Sequence, residues 1–370
     1  MANTSSSPTS HAAPTREIVQ RAPKVVLHEH LDGSLRPETV LELAAQAGYD
    51  ELPESDPTKL ADWFAAGAAR GSLPLYLEGF RHTIAVMQTA ETLERVAYEY
   101  MEDQARDNVV YAEVRFAPCF HTQKGLGLDG VMTAVLRGLQ RGASDFNVGF
   151  GLIVSAMRNA DSKESLEMAE LAVAYRDQGC VGFDLAGEEA GHPAKHHLDA
   201  FHFAQRQNFS ITIHAGESFG PESIWQALQY CGAHRVGHGT RLIEDMVLVD
   251  GEVVRLGTLA QYVLDRRIPL ELCLSSNVHT AATPSMEEHP FPHFLANGFR
   301  ITLNTDNRLM SRTTMTEEYM VAAETFGCTL PQLEKITINA MKSAFAHHDE
   351  RLRFIFDRIK PGYAALYKEA

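Results

Sequence analysis

Eight short runs rich in Val, Ile and Leu recur along the chain, separated by stretches with helical periodicity. The runs predicted as strands cover 24–30, 109–116, 148–156, 182–186, 211–214, 235–239, 269–274 and 300–304. Helix-like pieces between them cover 37–46, 92–107, 163–178, 197–208 and 256–266. Alternation of this kind means parallel strands joined by crossover helices. Eight such units over this length fit an α/β fold closed as a (β/α)8 TIM barrel with insertions. A doubly wound open sheet is the competing architecture. With no repeat of short fixed period and no low-complexity linker, one domain is the expected count.

The first 16 residues are small and polar and are read as a disordered tail. The domain division places that tail at 1–18 and a single barrel domain at 19–370. An apolar share of 45% and a charged share of 22% suit a chain with a substantial core. The 33 basic and 48 acidic side chains leave a formal charge of −15, which argues against nucleic acid or an anionic membrane as partner. A bound dication would itself supply the positive centre that an acidic cleft needs. The five cysteines are scattered and form no C-x-x-C, so neither a disulfide framework nor a cysteine zinc site is expected. With no membrane-spanning apolar run and no signal-peptide pattern, a cytoplasmic chain is expected.

The stretch between the first two predicted strands, residues 31–108, is an enlarged helical insertion. Within it Leu73, Tyr76, Leu77 and Phe80 fall at i, i+3, i+4 and i+7, one face of a helix. Such a stripe faces a core. An insertion after the first strand of a barrel also overhangs the catalytic mouth, so an apolar lid is the second reading.

His28-Glu-His30 ends the first predicted strand, and side chains at i and i+2 on a strand share a face. Two buried imidazoles need partners, and one shared metal ion satisfies both. His214 and Glu217 follow the fifth strand, His238 the sixth and Asp306 the eighth. In a barrel the carboxyl ends of all strands meet at one face, so these separated segments deliver six titratable groups to a single rim. Three neutral imidazoles and one carboxylate would leave a dication with a charge of about +1, able to generate hydroxide near neutral pH. Nitrogen and oxygen ligands without thiolate suit zinc, with iron, cobalt or manganese as alternatives. Glu217 and His238 then remain free to move protons.

The motifs His28-Glu-His30-Leu-Asp32-Gly33, Gly182-Phe-Asp-Leu-Ala-Gly187-Glu188, His214-Ala-Gly-Glu217, Gly237-His238-Gly239-Thr240, Ser275-Ser-Asn277 and Asn304-Thr305-Asp306 stand in that order. With Tyr111-Ala-Glu-Val-Arg115-Phe-Ala-Pro118, they make the chain resemble the adenosine deaminase family of metal-dependent amidohydrolases over nearly its whole length after the tail. The resemblance implies hydrolytic deamination of adenosine and 2′-deoxyadenosine to inosines and ammonia, a step of purine salvage. It makes His28, His30, His214 and Asp306 the ligands of one Zn2+. It makes Glu217 the donor of a proton to purine N1, and His238 the residue that orients the attacking water and takes part in its deprotonation. Asp306 also accepts a hydrogen bond from that water. Gly187 is then the backbone donor to purine N3, and Asp32 binds the ribose 5′-hydroxyl. Leu73, Tyr76, Leu77 and Phe80 become the lid over a small purine nucleoside.

The family often has a second aspartate after the metal-binding one, as a donor to purine N7. Here that position is Asn307, whose amide donates without any pKa shift. A deaminase of adenine or of another adenine-containing nucleoside is the rival hydrolase. A catalytically silent binding relative is the rival from another class, though such proteins usually lose a ligand or proton carrier and this chain keeps all six. Of the remaining histidines, His192, His196, His197, His289, His293, His347 and His348 are expected to be solvated, and for His279, just after Ser275-Ser-Asn277, the pocket edge is only the second reading.

Overall fold

A computed structural model describes residues 13–369. Strands β1 (Lys24–His30), β2 (Val109–Phe116), β3 (Gly149–Met157), β4 (Cys180–Ala186), β5 (Ser210–Ala215) and β6 (Arg235–His238) are followed by a hairpin, β7 (Met246–Val249) and β8 (Glu252–Leu256). Two further strands, β9 (Leu270–Leu272) and β10 (Ile301–Leu303), complete the set. Eight of these form one parallel sheet in the order β1-β2-β3-β4-β5-β6-β9-β10. The sheet curls back on itself. His30 N–H donates to the Asp306 carbonyl at 2.7 Å and Asp306 N–H to the His28 carbonyl at 3.0 Å, joining the last strand to the first. The expected TIM barrel is therefore the observed one.

The strands form where expected because they are near-continuous buried runs, as parallel strands covered on both faces must be. Helix signals are equally local. Pro37 opens Pro37–Ala47 and Gly48 ends it with a left-handed φ of 64°. Thr89 and Thr92 make a reciprocal capping box at the start of Ala90–Arg106. The insertion between β1 and β2 holds five helices, Pro37–Ala47, Pro57–Ala68, Leu73–Leu77, Phe80–Val86 and Ala90–Arg106.

Two expectations change. The tail was placed at 1–18; residues 1–12 lie outside the described residues, but Arg16–Arg21 is a helix. The Thr15 hydroxyl accepts from Ile18 N–H, Val19 is buried, and Arg16 and Arg21 pair with Glu317 and Glu369. A cap, a buried anchor and two ion pairs order a segment that looked polar enough to fray. The β7–β8 hairpin was not expected. Its signal was present: Asp250-Gly251 between two apolar runs, both residues with positive φ (51° and 80°) as a tight hairpin turn requires.

The barrel interior is charged rather than apolar. Tyr111, Glu113 and Arg115 alternate on β2, and Arg115, Arg235, Glu113 and Glu271 are all buried there. Arg235 donates to Glu271 at 2.5 Å and lies 2.7 Å from Glu113, while Arg115 donates to Glu271 at 2.9 Å. Buried charges of this kind hold only when paired, and these run in a chain from the barrel floor toward the strand tips.

Candidate active site

The carboxyl ends of the barrel strands open into a cavity of about 620 Å³. His30, Asp32, Gly187, His214, Glu217, His238, Asp306 and Asn307 all line it, and so do Leu73, Tyr76, Leu77 and Phe80. Every residue expected at the site is therefore at the cavity wall except His28, which sits fully buried directly behind it. The apolar stripe is part core and part cavity wall. Leu73 and Tyr76 are buried and Leu77 and Phe80 half-buried, yet all four face the cavity. His279 does not line it.

One atom from each of His28, His30, His214 and Asp306 lies within 4.8 Å of the others. His30 Nε2 and His214 Nε2 face each other at 3.1 Å, and Asp306 Oδ1 is 3.4 Å from the Nε2 atoms of both His28 and His30. His28 Nε2 is buried without a hydrogen-bond partner among the described residues. Converging lone pairs and one carboxylate fit a single divalent cation.

The outer nitrogens of two of these histidines are fixed. His28 Nδ1 donates to Glu271 at 2.9 Å and His214 Nδ1 to Asp184 at 3.1 Å. That assigns the lone pair to Nε2 in each and points it at the site. The Arg115 guanidinium sits between those two carboxylates, 2.9 Å from Glu271 and 3.5 Å from Asp184. Asp306 Oδ2 accepts from the Ser276 hydroxyl at 2.6 Å. Burial pushes the His30 imidazole down to about 3, and burial likewise lowers His214. Against burial, the His28 hydrogen bond and the neighbouring rings hold Asp306 well below the usual carboxylate range. Burial and Arg115 oppose a charge on His28, but Asp306 and Glu271 outweigh them and raise it. A cation bound there would take the place of that proton.

Glu217 and His238 face each other across 3.6 Å. Burial raises the Glu217 carboxyl well above its ordinary value, with the Asp306 and Glu189 charges adding to it. Burial drives His238 well below its own. Glu217 thus favours the neutral acid and His238 the neutral imidazole. His238 and Asp306 both adopt left-handed backbone, φ 59° in each, at a cost of about 1–2 kcal/mol per residue. Non-glycine strain of this sort collects at working sites.

A relay sets the His238 tautomer. Asn277 Oδ1 accepts from the Thr240 hydroxyl (2.9 Å), Cys273 N–H (3.3 Å) and His289 Nε2 (3.2 Å). Its amide NH2 is left to donate to His238 Nδ1 at 3.0 Å, which assigns the ring proton to Nε2. His289 was expected to be solvated; it is buried, because Phe291 N–H and Asn277 satisfy its two nitrogens. His197 is corrected for the same reason, held by the Ser165 hydroxyl at 2.8 Å and the Arg158 carbonyl at 3.1 Å.

Asp32 is buried with Oδ1 unpartnered, and Oδ2 is 3.8 Å from His121 Nε2, also unpartnered. His121 escaped the sequence reading, as did the working roles of Asp184, Glu271, Arg115, Asn277 and Glu189. For two of these a signal existed. Phe183-Asp184-Leu185 and Leu270-Glu271-Leu272 each place a carboxylate inside an apolar strand, where it must have a buried partner.

A profile of the family described as adenosine deaminase matches residues 23–361. The chain is 53% identical over 361 residues to adenosine deaminase 1 of Streptomyces coelicolor, covering 96% of this chain and 91% of that one. It is 53% identical over 357 residues to adenosine deaminase of Mycobacterium sp. strain JLS, covering 95% and 98%. Among solved structures, an adenine deaminase from Arthrobacter aurescens superposes with a TM-score of 0.83 at 24% identity, covering 94% of this chain and 99% of that one. An Arabidopsis N6-mAMP deaminase superposes at 0.79 with 29% identity, covering 92% and 99%.

Proposed function

The chain belongs to the adenosine deaminase family, and we propose that it hydrolyses adenosine and 2′-deoxyadenosine to the corresponding inosines and ammonia with one zinc ion held by His28, His30, His214 and Asp306. The observation that carries this reading is the meeting of that ligand set with Glu217 and His238 on the wall of one cavity. Bound there, zinc would supply Lewis acidity that brings the ionisation of water to near neutral pH.

The protein's own groups then do the rest. Glu217, favoured as the neutral acid, donates its proton to purine N1 as water adds at C6. Charge that would build on the ring is thereby cancelled. Of the water's two protons one leaves with the amino group as ammonia and the other restores Glu217, while the water oxygen becomes the C6 carbonyl of the inosine. His238 carries its proton on Nε2 and so donates to the water oxygen and orients it. That tautomer favours an orienting role over that of base. Asp306 accepts from the same water. The Gly187 N–H is assigned to purine N3, and the Asn307 amide donates to N7. Asp32, with one oxygen free of any partner, takes the 5′-hydroxyl; its charge would repel a 5′-phosphate, which favours nucleoside over nucleotide. Leu73, Tyr76, Leu77 and Phe80 cover the base and exclude bulk water.

Among the described residues no helix is long and apolar enough to cross a membrane, and the five cysteines are unpaired. A single barrel domain in the cytoplasm accommodates both. The test is an ultraviolet assay of adenosine conversion to inosine before and after chelation. Activity should vanish on chelation and return with added zinc; undiminished turnover by metal-free protein would end this reading.

A further inference from the structure

Glu189 lies two residues beyond Gly187 in the loop after β4, and its buried carboxylate reaches across to the turn after β5. Four consecutive backbone N–H groups converge on it. Gly216 donates to Oε1 at 2.6 Å, and Glu217, Ser218 and Phe219 donate to Oε2 at 3.0, 2.8 and 2.9 Å. The turn can present all four because Gly216 is left-handed, φ 73°, where a Cβ would strike Ile224 Cδ1 at 2.5 Å. Successive N–H groups folded around a left-handed residue make an anion-binding concavity, and here the protein fills it with its own side chain. Bonds to an ionised acceptor are about twice as strong as neutral ones. The residue bearing the second of those N–H groups is Glu217.

We infer that Glu189 is a positioning residue for the reaction: it clamps the 216–219 turn so that the Glu217 carboxyl is held at the place from which it protonates the substrate. The inference rests on the proton-donor role proposed above for Glu217. Through this clamp the loop after β4, which carries Gly187, also sets the geometry of the acid delivered after β5. Base contact and proton donor are thus tied together.

The test is a double-substitution cycle read in kcat and KM on adenosine, using the metal-loaded protein. Glu189→Gln keeps the size of the side chain but offers one acceptor oxygen and turns an NH2 against backbone N–H groups. It should lower kcat on the order of tenfold to a hundredfold, as misplacement of a reacting group does, with KM and bound metal nearly unchanged. In a Glu217→Gln background the same change should cost less than about twofold, since no proton is left to misplace. Equal fold-losses in both backgrounds would mean a merely structural contribution and overturn the inference, as would an unchanged kcat for Glu189→Gln. Wild-type kcat for Glu217→Gln alone would instead remove the proton-donor reading, so the two failures are distinct. Should Glu189→Gln not fold, Glu189→Asp keeps the charge and withdraws it by one methylene. Amide hydrogen exchange at 216–219 should then quicken, and wild-type protection there would equally overturn the inference.

Discussion

Glu217 and His238 sit 3.6 Å apart, and one cause, burial, moves them in opposite directions. Desolvation penalises whichever form is charged, so the carboxyl keeps its proton and the imidazole stays neutral, with the one ring proton on Nε2. Glu217→Gln should therefore retain the fold and the metal while kcat drops by at least about a hundredfold, the usual scale of a lost general acid. Steady-state kinetics beside metal analysis decide it. Asp32→Ala should raise KM for adenosine far more than for 5′-deoxyadenosine; equal increases would take Asp32 out of the ribose pocket. The proposed ligand set was legible because an H-x-H at the end of an apolar run, weak by itself, stood in a series of strand ends that also offered His214 and Asp306. Glu271, Asp184 and Glu189 were not legible as partners. Which histidine or which turn a carboxylate serves depends on contacts 243, 30 and about 28 residues away in sequence, and no local period encodes them.

At the scale of elements, each strand tip brings one or two groups to the rim, and the seams between elements rest on a few buried polar atoms. Lys24, at the start of β1, donates to the carbonyls of Gln20 and Ala22 at 3.1 and 3.0 Å and to that of Asp107 at 2.9 Å. It thereby joins the end of the first helix to the end of Ala90–Arg106. Burial lowers its ammonium from 10.5 to about 8. Between those values the unfolded chain holds a proton that the folded chain has shed, so stability rises as pH climbs through that window, by on the order of 3 kcal/mol at most. Lys24→Met should flatten that rise relative to the natural chain. Urea unfolding of both proteins at the two ends of the window checks it, and parallel pH dependence would contradict it. Strands and helices were legible because period and caps are local; 24–30 and 109–116 match β1 and β2 to the residue. The β7–β8 hairpin was missed because its runs stand outside the strand–helix alternation, although its Asp-Gly turn was in view.

For the whole molecule, the seam that closes the barrel and the proposed metal site share residues. The backbone bonds that join β10 to β1 run through His28, His30 and Asp306, three of the four proposed ligands. The fourth, His214, comes from the far side of the ring on β5. A cation there would brace the seam where strand pairing is thinnest, a single bridge between Glu29 and Asp306. In a chain of net charge −15 the cavity is lined by the acidic residues Asp32, Glu188, Glu217 and Asp306 and by the guanidinium of Arg81. The most direct measurement is an anomalous difference map from crystals of the protein as isolated, recorded at the zinc absorption edge. One peak per chain is predicted, about 2.0–2.2 Å from His28 Nε2, His30 Nε2, His214 Nε2 and an Asp306 carboxylate oxygen. No peak in a crystal of active protein, or a peak away from these four side chains, would contradict the account.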